Sequence, residues 1–188
     1  MKKYLLIPLL LITPLLAQAY TSADCNAALK QLGDATVASN QSASNFVTQI
    51  DKYSFIPASQ KDVYKKNAIL LNNTAKTIYE GGSKTDREKQ ADFCVNNAIY
   101  YTQYVKDNIK MNAVILNAAQ EVEQNKQAII QKTLCSTQEM CDRVLYYQMT
   151  QKMLPQIKQN AEDNLNRAKA FAKTHTPSAD QSPPPGIK

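Results

Sequence analysis

The sequence contains no tryptophan, one histidine and only four glycines among its 188 residues. Four glycines are too few for the many tight turns of a β-sandwich or a β-barrel. The single histidine, His175, excludes His-rich zinc sites and leaves little material for acid–base catalysis. The sequence also lacks a glycine-rich phosphate loop, an HExxH motif and an EF-hand pattern, so it indicates no cofactor and no metal site.

Residues 1–19 have the features of a secretory signal peptide. Lys2 and Lys3 form a basic start, an apolar run extends from Leu5 to Leu16, and Ala17-Gln18-Ala19 places small residues at a cleavage site. The apolar run contains two prolines and is shorter than the roughly 18 residues that span a membrane. We therefore expect cleavage after Ala19, export to the periplasm or the extracellular space, and a mature chain without a transmembrane segment.

The mature chain is predicted to be one domain followed by a tail. Residues 20–175 have a length that suits a single domain. Residues 176–188 contain four prolines, one glycine and two serines, which is typical of a disordered, Pro-rich segment. Loss of Lys2 and Lys3 with the leader lowers the formal net charge from +6 to +4. This mild basicity does not indicate a nucleic-acid partner.

Apolar residues recur at three- and four-residue steps along most of the mature chain. This periodicity predicts helices, and therefore an all-α fold built as a helical bundle. We expect four or five helices, of which the third and fourth are long. The predicted ranges are about 22–53, 59–80, 86–134 and 137–174.

Three features predict irregularities in these helices. Gly33 and the Ser- and Asn-rich run that follows it are expected to split the first helix near 33–42. A single helix over 86–134 would be roughly 70 Å long, so we expect a bend or break near 107–125. Pro155 lies inside the last helix, and we expect a kink there because proline removes a backbone donor.

Two capping boxes and one apolar stripe refine the helical pattern. Thr85–Glu88 and Ser136–Glu139 have the spacing in which a hydroxyl and a carboxylate cap the start of a helix. In the last helix, apolar residues at helical spacing predict the face that is turned toward the core. This predicted stripe consists of Met140, Val144, Tyr147, Leu154, Ile157, Ala161, Leu165, Ala168 and Ala172.

Four cysteines in an exported chain predict two disulfides, and spacing alone permits three pairings. Cys135 ends one predicted helix and Cys141 lies in the first turns of the next, so a bridge between them would staple a tight corner. Cys25 would then pair with Cys94, at the end where the first and third helices begin. The predicted helix lengths place these two residues too far apart for a bond unless the first helix folds back at Gly33. We therefore predict both pairs together with a split first helix.

The carboxylates form no recognisable catalytic pair. Glu121 and Glu123 point to different helix faces, and Glu162 and Asp163 are flanked by amides. If the cysteines are oxidised, no Cys–His nucleophile is available either. These observations favour a protein that is not an enzyme. Two distant carboxylates leave no sequence signature, so a carboxylate-dependent hydrolase stays open as an alternative.

Clustered tyrosines give a candidate surface for a protein partner. Tyrosine offers a large contact area and is enriched in binding surfaces. The candidate residues on the third and last helices are Tyr100, Tyr104, Met111 and Tyr146. The same pattern is typical of a central helix that is buried on several sides, and the sequence leaves both interpretations open.

A set of lysines gives a second candidate surface, which could bind the head groups of anionic phospholipids. These residues are Lys61, Lys65, Lys76, Lys169 and Lys173. The leading hypothesis from the sequence is an exported, non-catalytic, disulfide-stapled bundle that acts through a protein–protein surface, as immunity proteins, inhibitors and chaperones do. Phospholipid binding is the second hypothesis, and hydrolysis is the third.

Overall fold

The computed structural model describes residues 19–84, 86–87 and 89–175 of the chain. Three predicted features lie wholly or partly outside these residues: the signal peptide, the capping box of Thr85 and Glu88, and the Pro-rich tail. The signal peptide and the tail stay predictions. The helix start predicted near 86 is wrong, because residues 86, 87, 89 and 90 are not helical and the helix begins at Ala91.

The described part of the chain consists of helices and connecting turns and contains no strand. The five helices are α1 (Ser22–Ile50), α2 (Ala58–Gly82), α3 (Ala91–Gln124), α4 (Lys126–Thr133) and α5 (Gln138–His175). The all-α bundle predicted from the periodicity is therefore confirmed. The second long helix is the fifth rather than the fourth, because the short α4 precedes it.

The first three helices form an up-down-up bundle. The disulfide between Cys25 and Cys94 joins the starts of α1 and α3, and further along the Asn112 amide donates to the Ser42 hydroxyl at 3.2 Å. α1 and α3 are therefore parallel, and α2 runs back between their ends. α5 returns along α3 in the antiparallel sense, with its early residues near the end of α3 and its late residues near the start.

The core consists of two apolar clusters, one at each end of the bundle. The disulfide-end cluster contains buried residues of the first three helices only: Cys25, Ala28, Leu29, Leu32, Ala35, Ala75, Cys94, Val95, Ala98 and Val105. The corner-end cluster also includes the loop after α1 and part of α5: Ala43, Phe46, Ile50, Phe55, Ile56, Ala68, Ala118, Ala119, Val122, Leu145, Met149 and Met153. α5 thus contributes to the core only at the corner end, where it follows α4.

Small polar and amide side chains lie between the two clusters. Ser39 of α1 and Asn108 of α3 are buried there, and the Asn72 amide of α2 donates to Asn40 Oδ1 of α1 at 3.2 Å. Short polar side chains that pair across neighbouring helices can be accommodated without a break in the backbone. The polar run therefore forms a layer of the bundle, and the predicted split of α1 is wrong because α1 is one continuous helix.

Gly33 has a packing role instead of acting as a hinge. A Cβ atom at Gly33 would lie 3.0 Å from Cε2 of the Tyr79 ring, so the missing side chain lets α2 pack closely on α1. The length conflict that suggested a split is absent because α3 begins at Ala91. Cys94 therefore lies at the start of α3 and opposite Cys25.

Both predicted disulfides are confirmed. The Cα atoms of Cys25 and Cys94 are 5.6 Å apart, and those of Cys135 and Cys141 are 5.3 Å apart. Both distances lie within the usual range for a disulfide. One bridge joins two helices across the bundle, and the other closes the corner between α4 and α5.

The predicted break in the third helix occurs at Asn125, at the end of the predicted window. Its backbone N–H and its side-chain amide both donate to the Glu121 carbonyl, at 3.2 and 2.8 Å. A carbonyl of the last turn is thus satisfied locally where α3 ends and α4 follows. Pro155 lies inside α5, and the kink expected there stays a prediction.

Threonine hydroxyls cap the starts of α1 and α5. At α1, Thr21 Oγ1 accepts from the Asp24 N–H at 3.2 Å, and Asp24 Oδ2 accepts from the Thr21 N–H at 2.8 Å. Hydrogen bonds from the Thr21 side chain and backbone lower the pKa of the Asp24 carboxyl. At α5 the cap is Thr137, which accepts from the Met140 N–H at 3.2 Å. The capping box predicted at Ser136 and Glu139 is therefore wrong: Thr137 caps the helix alone, and Met140 has no carboxylate or amide that could bond back to it.

α4 ends at Thr133 and is capped by Leu134, the one non-glycine residue with a left-handed backbone in the described ranges, with φ 51°. Its side chain is 84% exposed, so little packing offsets the strain. We expect Leu134→Gly to raise the free energy of unfolding by about 0.5–1 kcal/mol, because glycine adopts this conformation without strain. Urea denaturation measures the change. Leu134→Ala keeps the strain and should give no gain, so an equal gain for both variants would contradict this account.

Candidate protein-binding surface

The two halves of α5 turn different kinds of side chain toward the rest of the molecule. In the first half every fourth residue faces inward, and these residues are apolar and buried, namely Cys141, Leu145, Met149 and Met153. The stripe predicted from the sequence lies beside this inward face, and its Tyr147 is exposed. The predicted orientation of α5 is therefore wrong.

Beyond Met153 the face of α5 that approaches α3 is polar. The Arg167 guanidinium forms an ion pair with Asp107 of α3, and Gln103 Nε2 donates to Asp107 Oδ1 at 3.1 Å. Asp107 is only 8% exposed, so a nearly buried carboxylate anchors this half of α5. The partly buried residues of this half are Asn160, Asp163, Asn164, Arg167 and Phe171.

The composition of the core explains this orientation. The disulfide-end cluster is built from α1, α2 and α3, which leaves α5 the outer face of α3. That face offers Tyr100, Gln103 and Asp107, and the Phe171 ring packs on Tyr100 with centroids 4.5 Å apart. Arg167 and Phe171 of α5 therefore find their partners on α3, while Leu154, Ile157 and Leu165 turn to solvent.

The apolar side chains in the second half of α5 form an exposed stripe. Leu154 and Leu165 are 56% and 55% exposed, and Ile157 is 38% exposed. By helical geometry their side lies about 100° around the helix from the face that contacts α3. An exposed, contiguous apolar patch is typical of an interaction site. We name this surface the α5 stripe, and it consists of Leu154, Ile157, Ala161, Leu165, Ala168 and Ala172.

Lysines line one edge of the α5 stripe. The spacing of Lys158, Lys169 and Lys173 places them on the same side of the helix, and Glu162 is the one acidic residue among them. All four residues are exposed. The surface therefore combines an apolar centre with a positively charged edge.

The four residues of the predicted tyrosine surface are half-buried and do not come together. Tyr100, Tyr104 and Met111 share one side of α3, where Tyr100 packs against α5. Tyr146 lies at the corner end, with its hydroxyl 3.2 Å from the hydroxyl of Tyr64. Burial, followed by this hydrogen bond, raises the pKa of Tyr64. Tyr100 and Tyr146 therefore pack between helices, and only spatial information on α5 could have shown that Tyr100 is covered. The use of these residues as a partner surface stays a prediction.

The predicted phospholipid-binding lysines lie on two helices, and three of them already have partners. Lys61 Nζ donates to the backbone carbonyl of Asp51 at 3.2 Å, and Lys65 Nζ donates to its carboxylate at 2.6 Å. Both charges lie at the C-terminal end of α1, where the helix dipole favours cations. Lys76 Nζ lies 3.9 Å from a glutamate one turn further along α2. The other two residues are Lys169 and Lys173 at the edge of the α5 stripe.

Two carboxylates of the hydrolase alternative take part in ion pairs. Glu121 pairs with Lys152 of α5, and Glu123 Oε1 lies 3.6 Å from Lys126 Nζ. These contacts give both groups a structural role at the end of α3. Hydrolysis stays an untested alternative.

Three further findings concern membrane-spanning helices, the disulfides and the similarity of the chain to known proteins. Along the described residues, no helix is both long and apolar enough to cross a membrane. The two disulfides are compatible with an exported protein. The sequence matches no family model, and comparison with curated proteins and with solved structures returns no match.

Proposed function

We propose that this chain is a non-catalytic binding protein that recognises a protein partner through the α5 stripe. The observation that carries the proposal is the orientation of the second half of α5. This half packs its polar face on α3 and exposes Leu154, Ile157 and Leu165. Complete burial of such side chains is worth about 1.5–3 kcal/mol each, and a partner that covers the exposed part, roughly half of each, would recover about half of that. The alanines of the stripe allow a partner to approach the helix closely.

The edge of the α5 stripe indicates the chemistry of the partner. Its three lysines outnumber its one glutamate, so a complementary surface has an apolar ridge with acidic residues beside it. Apolar anchors along a helix are the usual basis of helix-in-groove recognition. Inhibitor-like, immunity-like and chaperone-like roles would all use such a surface.

Binding of anionic phospholipid is the competing use of this face. Lys61 and Lys65, which belong to the predicted lipid surface, are held by Asp51. The α5 stripe contains no aromatic residue, whereas helices that bind at membrane surfaces commonly carry Trp or Phe on the apolar face. These two features favour a protein partner.

Site-specific photocrosslinking in the producing cells, followed by a binding measurement, tests the proposal. A photoreactive phenylalanine analogue at Ile157 or Leu165 should give one protein adduct of defined mass. With the purified partner, Leu154→Lys/Leu165→Lys should weaken binding by about 100-fold in calorimetry, because two aliphatic contacts are lost. Both leucines are exposed, so the thermal midpoint of the variant should stay close to that of the original chain.

Gln156 and Asn166 provide matched controls because they are exposed on other sides of α5. The crosslinker at either position should give no adduct, and Gln156→Lys/Asn166→Lys should leave the affinity unchanged. Equal adducts at stripe and control positions, or no adduct at all, would contradict the proposal. If the stripe positions gave adducts with lipid alone, the proposal of a protein partner would be wrong and phospholipid binding would take its place.

A further inference from the structure

A groove lies on a different side of α5 from the α5 stripe. It occupies about 440 Å³ between α3 and the last turns of α5, with Gln31 of α1 at its margin. Small-molecule sites usually have volumes of roughly 300–1,000 Å³. Ile99, Tyr100 and Phe171 line its apolar wall, and the last two rings pack together with centroids 4.5 Å apart. The groove is therefore large enough, and apolar enough, to hold the body of a small ligand.

The charged groups of the groove are cations. Lys106 and Arg167 both line it, and no carboxylate is found among its described lining residues. Arg167 is paired with Asp107, but Lys106 has no hydrogen bond or ion pair in the part of the chain that the structure describes. A larger hollow at the corner end differs in this respect, since its Arg143 lies 2.6 Å from Glu139. The groove thus holds a positive charge that the protein itself leaves unneutralised.

Thr102 lies beneath the same wall. The residue is only 6% exposed, and its Oγ1 has no hydrogen-bond partner among the described residues and almost no accessible surface. An unpaired buried hydroxyl destabilises the fold. Because the oxygen cannot be reached from the groove, it affects the stability of the chain and makes no contact with a ligand.

From these features we infer that the groove binds a small organic anion with an apolar body. The anionic group lies between Lys106 and Arg167, where charge-assisted hydrogen bonds are strongest. The apolar body packs on Tyr100 and Phe171. The α5 stripe takes no part, so this inference and the proposed protein binding stand or fall separately.

Titration of the full ¹⁵N-labelled chain with defined probes, followed by two-dimensional NMR, tests the inference. The probes are 3-phenylpropionate, its neutral amide, and phenyl phosphate, which separates carboxylates from phosphates. We expect at least one of the two anions to shift amide signals of residues 99–106 and 167–171. The neutral amide should bind about tenfold more weakly than the carboxylate, because it lacks the charge.

Lys106→Gln tests the charge, and Lys132→Gln on α4 is its control. Lys106→Gln should weaken binding of the anion by about tenfold and leave the neutral amide unaffected. Lys132→Gln, on an exposed helix that does not line the groove, should change neither affinity.

Thr102→Val separates stability from binding. Removing an unpaired buried hydroxyl should raise the thermal midpoint by about 2–4 °C and leave binding of the anion unchanged, because Oγ1 has almost no accessible surface. Thr77→Val is the control, because Thr77 Oγ1 donates to the Asn73 carbonyl at 3.1 Å and its removal should give no stabilisation.

Three results would overturn the inference. The first is no signal shift with either anion up to about 10 mM, which corresponds to negligible affinity. The second is equal binding of the carboxylate and its amide, and the third is binding that Lys106→Gln leaves unchanged. Signal shifts confined to the α5 stripe would also overturn the inference, because they report adsorption of the probe to exposed aliphatic side chains and not binding in the groove.

Discussion

Replacement of both Cys25 and Cys94 by alanine should lower the free energy of unfolding by about 4 kcal/mol. This bridge has a sequence separation of 69 residues, and a crosslink across a long loop removes much of the entropy of the unfolded chain. Both cysteines are also buried in the disulfide-end cluster, where they hold the starts of α1 and α3 together. We expect the thermal midpoint, followed by circular dichroism, to fall by about 8–16 °C.

The second disulfide is the matched control for this experiment. Cys135 and Cys141 have a sequence separation of only 6, so alanine at both positions should lower the free energy of unfolding by about 2 kcal/mol. The α4–α5 corner should loosen while the rest of the bundle keeps its stability. Equal losses for the two double variants would show that loop length does not govern these bridges.

Arg167→Met is expected to lower the free energy of unfolding by about 2–3 kcal/mol. The change leaves the Asp107 carboxylate, which is 8% exposed, with Gln103 as its remaining hydrogen-bond donor. A nearly buried charge without a counter-ion is strongly unfavourable. The expected loss is smaller than for a fully buried pair because the Arg167 side chain is 30% exposed. Hydrogen exchange should also accelerate in α5 beyond Met153, since this pair anchors that half of the helix.

Two variants separate the buried charge from a general effect of losing an arginine. Arg143→Met breaks an ion pair with Glu139 whose side chains are 78% and 76% exposed, and it should cost less than about 0.5 kcal/mol. Asp107→Leu/Arg167→Met removes both charges and should recover stability to within about 1 kcal/mol of the original chain. If the double variant were as unstable as Arg167→Met, the loss would come from packing and not from the unpaired carboxylate.

Local patterns predicted the helices correctly, because helical periodicity depends on neighbours along the chain. The short spacing of Cys135 and Cys141 predicted one disulfide, and Cys25–Cys94 followed as the remaining pair in an up-down-up arrangement. Local patterns failed where a residue type serves two purposes. Gly33 and the polar run after it were expected to split α1, yet they allow close approach of Tyr79 and form a polar layer. The capping box at Thr21 has the predicted chemistry and a recognisable pattern, T-x-x-D, so a search that included Asp at the fourth position would have found it.

The candidate surfaces were less predictable than the fold. A helical stripe identifies which residues share a face, but it does not identify the neighbour that covers that face. Tyr100 is covered by Phe171 because α5 returns along α3, and the groove at Lys106 and Thr102 exists only because the two helices meet there. Apart from the pairing of the cysteines, no signal in the sequence brings together residues 60 or more positions apart.

Composition, periodicity and cysteine spacing by themselves determined an all-α, doubly crosslinked bundle, because backbone hydrogen bonds within helices and short-range steric preferences are local. Only the tertiary structure decided that α5 would expose Leu154 and Leu165. That choice depends on competition for surface: α1, α2 and α3 fill the disulfide-end cluster among themselves, and the outer face of α3 offers a buried carboxylate that Arg167 neutralises. Burial is a property of the whole packing arrangement, so the same apolar stripe that periodicity assigns to a core becomes, in this fold, the surface left for a partner.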